Sequence, residues 1–298
     1  MAVIPLRVWL LSFITTVVLS VSIQFLAPFW QEQELNAQPY LNMKRLADNS
    51  EVPKLLALGS SLTEFAFFDP KQAEEHISSI VGKIDLVRMT VLGATRSSYQ
   101  NQLDKIASLH PHWVIVELEI LLLDSFEANS WGKKVRNFAN KIRYFFQHLQ
   151  EQTQYLLINK VPSNFEGNFD IVRKCPYKGR GFDIVQAAQR YKKNLRIRQD
   201  TLPDYWIKFF DRVRSYGGHV IIVQYGISQT GQEFLPADFS EHLQQQKDLL
   251  TGSTGIEIWR FPGPFEDINY CGLGHLAPQG SEQFIKWLSN KLATAANE

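Results

Sequence analysis

Cysteine is scarce in this 298-residue sequence: Cys175 and Cys271 are the whole supply. No Cys/His group has the spacing of a zinc site, and no glycine-rich loop is built to cradle phosphate, so neither a metal nor a nucleotide cofactor is expected. Internal repeats and low-complexity tracts are missing too, which excludes repeat architectures. There is almost no net charge, a formal +1. An exported compartment would permit a disulfide between the two cysteines, tying the middle of the chain to the loop that carries His275; two free, buried thiols are the other reading.

The charge that is present is unevenly spread. Between Lys133 and Arg198 fifteen Lys and Arg face four Asp and Glu, a local balance of +11, which leaves −10 for the remainder. Such asymmetry points to an anionic partner for the 133–198 segment, a lipid headgroup surface, an acidic polysaccharide or an acidic protein patch, against the plain reading of a solvated basic face. The start of the chain is uncharged from Val8 to Trp30, after Arg7. That is about the ~20 apolar residues needed to span a bilayer. Residues 1–30 therefore read as a membrane anchor, with a cleavable signal segment ending near Ser20 or Ser22 as the alternative. Arg7 would hold the start in the cytoplasm and place the rest outside it, anchored to the inner membrane by a single pass. For a chain exported in this way nucleic acid is a poor partner.

After a polar stalk, 31–52, the pattern of residues 53–298 is that of a parallel sheet flanked by helices. Strands are expected at Lys54 to Leu58, Leu86 to Leu92, Trp113 to Val116, Tyr155 to Ile158, His219 to Val223 and Ile256 to Trp259. Helices are expected at Pro70 to Val81, Ser97 to Leu109, Asp204 to Tyr216 and Ser281 to Leu292. The stretch 159–200 breaks into Pro, Gly, Asn and basic residues and reads as an insertion over the sheet edge or a site entrance.

The chemistry concentrates at two places. Leu55-Leu56-Ala57-Leu58-Gly59-Ser60-Ser61-Leu62 is an apolar run that stops at a glycine and presents two serines. A buried strand ending in such a turn, with a helix following, sets a serine at the carboxyl edge of a parallel sheet, where open α/β folds bind ligands. A nucleophilic serine needs a base, and His275, in Gly272-Leu273-Gly274-His275-Leu276-Ala277-Pro278-Gln279-Gly280, is the candidate. The competing reading of Ser61 is a helix cap, a role expected of Ser60 in any case. His110 and His112, flanking Pro111, read as surface residues.

A serine near the start and a histidine near the end, in these contexts, resemble the SGNH or GDSL hydrolase superfamily. Its first block is Gly-Asp-Ser-Leu; Gly59, Ser61 and Leu62 match, and Ser60 stands at the aspartate position. The resemblance implies Ser61 as nucleophile, His275 as base, and an oxyanion hole formed by Ser61 and by Gly93 of Val91-Leu92-Gly93-Ala94. Two blocks depart from the pattern. Gly272 occupies the place of the aspartate three positions before the histidine, and the block after the third strand offers Glu117 and Glu119 in place of Gly-x-Asn-Asp. Asp267, with Glu266 beside it, is then the candidate to orient His275, a backbone carbonyl being the alternative. The implied fold is a three-layer, SGNH/flavodoxin-like α/β domain preceded by one N-terminal transmembrane helix. The implied function is a cell-envelope esterase or O-acyltransferase acting on a polysaccharide, with a catalytically inactive glycan-binding or scaffolding domain as the alternative. Partners implied are an anionic glycan or lipid surface, the membrane, and envelope assembly proteins. Trp131, Trp206 and Trp259 are loose candidates for sugar stacking.

Overall fold

The computed structural model describes residues 51–91, 94–123, 189, 196–263 and 265–296, all within one compact unit drawn from Pro39–Phe126 and Asn168–Glu298. The expected anchor, nearly all of the stalk, the strand at Tyr155 to Ile158, most of the insertion, Gly93, Trp131 and Cys175 lie outside the described residues. Among those described, no helix is long and apolar enough to cross a membrane.

Five strands form one parallel sheet: β1 Lys54–Gly59, β2 Asp85–Thr90, β3 Trp113–Glu117, β4 His219–Gln224 and β5 Ile258–Arg260. Their order is β2-β1-β3-β4-β5. β1 thus lies inside the sheet with all six residues buried, which is why it reads as a continuous apolar run. The order reverses between β1 and β3, and the crevice at their carboxyl ends is where such sheets hold ligands.

Successive side chains leave a strand on opposite faces, and the core divides accordingly. Leu56, Leu58, Val114, Val116 and Ile222 pack on one side against Trp206, Phe209, Phe210 and Val213. Leu55, Ala57, Ile115, Ile221 and Val223 pack on the other against Ile77, Phe284, Leu288 and Leu292. The helices among the described residues are α1 Ser61–Ala66, α2 Pro70–Val81, α3 Leu103–Ala107, α4 Leu118–Leu122, α5 Asp204–Ser215, α6 Gln229–Glu233, α7 Phe239–Thr254 and α8 Pro278–Ala295, and α5 supplies the first of these faces, α2 and α8 the second. The expected helix at Ser97 to Leu109 is divided into a 3-10 turn, Arg96–Tyr99, and α3. α2 begins where its sequence says it should: Asp69 accepts from the amides of Lys71 and Gln72, both at 3.1 Å, and Pro70 takes the first helical position.

Two of the aromatic residues considered for sugar stacking belong to this core. Trp206 is fully buried and donates its indole N–H to the Arg96 carbonyl at 3.1 Å. Trp259 is 4% exposed and meets Trp287 edge to face. Neither is open to a sugar ring.

Candidate active site

β1 ends at Gly59 for a steric reason. A Cβ there would collide with Thr63 Oγ1 and Glu117 Oε2, so only glycine lets the chain turn into α1 at this point. Ser60 then caps α1, its hydroxyl accepting from the Leu62 amide at 3.2 Å, as its place before the helix predicts. Ser61 is the first helical residue. The Thr63 amide bonds Glu117 at 3.2 Å and the Glu64 amide bonds the Ser60 carbonyl at 3.1 Å. Among the described residues no acceptor is recorded for the Ser61 N–H, which as the first helical amide has no partner within the helix.

The turn is held from below and from the side. Tyr99, fully buried, accepts from the Gly59 amide at 3.1 Å, and its hydroxyl lies 2.6 Å from the Gly59 carbonyl and 2.7 Å from that of Met89. Burial, and then the negative charge of Glu117, hold this phenol well above its ordinary range, so it stays a donor. On β2, the Arg88 guanidinium donates to the Glu64 and Phe67 carbonyls at 3.0 and 2.7 Å, placing a cation on the carbonyl end of α1.

His275 comes from a tight loop at the opposite end of the sequence. An isolated antiparallel bridge joins Tyr270 to Leu276, the Cys271 amide bonds the His275 carbonyl at 2.7 Å, and the Ala277 amide bonds the Asn269 carbonyl at 2.7 Å. Cys271 is disulfide-bonded. The loop leans on α1: Phe65 meets the imidazole at 4.8 Å between ring centroids, and a Cβ at Gly274 would stand 3.2 Å from Leu62 Cδ2. Across this packing His275 Nε2 lies 2.8 Å from Ser61 Oγ. That is hydrogen-bond distance, reached by residues 214 positions apart, and it is the separation that a serine and a histidine acting together would need. Burial lowers the imidazole pKa to about 4, so the ring is neutral and able to accept the serine proton near pH 7.

Asp267 is not brought to the histidine. It is exposed and sits on a 3-10 turn, Asp267–Asn269, and its carboxylate accepts from the Thr230 amide at 3.1 Å and from the Thr230 hydroxyl, with Ser228 as a further donor. It anchors the start of α6; the role of orienting His275 does not fall to it. Glu266 accepts from the Asn269 side chain at 3.2 Å.

What sequence reasoning leaves without a role is Glu117. The last residue of β3, 1% exposed, it points under the serine turn and is bonded there by Ser60 and Thr63. The signal is a carboxylate closing an otherwise apolar, buried strand.

No family model and no curated protein matches the sequence. Among solved structures, the chain is similar to a GDSL-like lipase from Bacteroides thetaiotaomicron (8% identity, TM-score 0.38, covering 86% of this chain and 98% of that one). It is also similar to a lipolytic protein of the G-D-S-L family from Desulfitobacterium hafniense (10% identity, TM-score 0.38, covering 80% and 98%). A third likeness is to an extracellular lipase from Streptomyces rimosus (12% identity, TM-score 0.31, covering 76% and 86%).

Proposed function

We propose that this chain is an SGNH-type serine enzyme of acyl transfer, with Ser61 as nucleophile and His275 as general base. The observation that carries the reading is the 2.8 Å approach of His275 Nε2 to Ser61 Oγ at the carboxyl edge of a parallel sheet. His275 takes the hydroxyl proton as Ser61 Oγ attacks an ester carbonyl, and the Ser61 amide, joined by that of Gly93, receives the oxyanion. The bond to the alcohol then breaks, His275 returns the proton to the departing oxygen, and water or a sugar hydroxyl releases the acyl group by the same steps in reverse.

The rest of the sequence supports a substrate class. An apolar first segment of anchor length and a +11 stretch at 133–198 suit an enzyme held at the outer face of the inner membrane and working on an anionic envelope glycan, as esterase or O-acyltransferase. A second reading, an inactive SGNH-like domain that binds glycan or scaffolds an envelope assembly, is favoured by one fact: Asp267 is committed to Thr230. In a serine protease, spoiling the acid that orients the histidine costs about 10⁴ in rate.

The two readings separate with a fluorescent serine-directed phosphonate applied to the full chain. Labelling of the wild type that is lost in both Ser61→Ala and His275→Ala is the expected result. A folded wild type that takes no label leaves the binding reading.

A further inference from the structure

We propose that Glu117 is the positioning residue of the serine turn, its carboxylate clamping Ser60 and Thr63 so that Ser61 Oγ is presented to His275. The proposal rests on the serine reading above and adds to it a residue that the block pattern does not supply. Glu117 Oε1 accepts from the Ser60 hydroxyl at 2.5 Å. Oε2 accepts from the Ser60 amide at 2.7 Å, the Thr63 amide at 3.2 Å and the Thr63 hydroxyl at 2.8 Å. Ser61 thus lies between two residues whose backbone and side chains are both tied to one buried group, and the backbone that aims its hydroxyl is fixed from both sides.

Four contacts converge on this carboxyl group: ionised, it accepts all four, and protonated on Oε1 it would donate to the Ser60 hydroxyl while Oε2 keeps its three donors, so the clamp holds in either state. Among the described residues no cation pairs with Glu117, and its oxygens are met by oriented N–H and O–H groups. Glu119 on α4 is held well above the ordinary carboxylate range by burial and then by the charge of Glu117. Tyr99 and Tyr225 are held neutral by burial, Tyr225 donating to the Thr63 hydroxyl at 3.2 Å, and Lys247 faces Glu119 from α7. Burial, the largest effect, holds the Glu117 carboxyl above its ordinary range, and the bonds from Ser60 and Thr63 offset part of that rise.

The hydroxyl of Ser60 completes the arrangement. It accepts from the Leu62 amide and donates to Glu117, so the capping of α1 and the clamp on its first turn are one hydrogen-bonded chain. Gly59 belongs to the same device, since the space of its missing Cβ is taken by Glu117 and Thr63.

The test compares wild type, Glu117→Gln, Glu117→Ala and Ser60→Ala in the full chain. Phosphonate labelling rates are measured per reactive molecule, together with kcat and KM for p-nitrophenyl acetate. Displacing a nucleophile by about 1 Å costs on the order of a hundredfold, and Glu117→Ala is expected to lose about that much in labelling rate. Glu117→Gln keeps one acceptor oxygen for the Oε2 side, and should retain part of the rate. The loss should appear in kcat with KM unchanged, because the clamp acts on the attacking group and not on the ester. If Glu117→Ala does not fold, the glutamine and Ser60→Ala variants decide. Wild-type kcat and labelling rate in both, beside a reactive wild type, would overturn the assignment and reduce Glu117 to a structural acid. A wild type that takes no phosphonate would overturn the Ser61 reading instead, so the two failures are distinct.

Discussion

The imidazole of His275 illustrates how burial sets the working range of a base. Its pKa is lowered to about 4 by desolvation, so the neutral, proton-accepting ring persists well below the usual histidine range. Labelling by the phosphonate should therefore stay level from about pH 8 to about pH 5 and fall by half near pH 4; a midpoint near 6.5 would mean a solvated ring. The same shift affects stability. Because the folded pKa lies below the unfolded one, the unfolded chain binds the proton first. The contribution of neutral His275 is intact above about pH 6.5 and is lost as pH falls through about 4, which denaturant midpoints across that range would register.

At the scale of elements, the strand, turn and helix of residues 54–66 form the part on which the site depends, and Gly59 is its most sensitive point. Gly59→Ala should destabilise the fold by about 1–3 kcal/mol, the usual cost of forcing a methyl into filled space, and should disturb the serine turn at the same time; thermal melting and labelling rate check the two effects. Much of this is legible in the sequence. Lys54 to Leu58 and Trp113 to Val116 are apolar enough to be read as buried strands, Pro70 to Val81 carries its own cap, and Ser60 stands where a capping residue is expected. α7 is not apparent there, because its glutamines and scattered apolar residues give little amphipathic signal, and Phe239, Leu250 and Thr254 are its buried members. The serine and histidine are legible because turn chemistry is local. The destination of the Glu117 carboxylate is not, since it depends on how β1 and β3 lie side by side, which local pattern does not contain.

For the whole molecule, the division of charge remains the feature that bears on partners. Reversing Arg190, Lys192 and Lys193 should weaken association of the full chain with an anionic polysaccharide, by about 0.2–1 kcal/mol for each ion pair with the glycan that is lost, and the difference should shrink as salt is added. Sedimentation with the polysaccharide measures this; unchanged binding would identify the segment as a solvated face.

The long separation of Ser61 and His275 has a consequence for biosynthesis. α8, whose Ser281 hydroxyl donates to the Ala66 carbonyl at 2.7 Å and whose Phe284 meets Phe67 at 5.5 Å between ring centroids, secures the His275 loop beside the helix that bears Ser61. During translation the serine leaves the ribosome 214 residues ahead of the histidine. A nascent chain therefore carries an unarmed hydroxyl, and chains stalled before α8 is made should be inert toward esters even where their first strands have already formed.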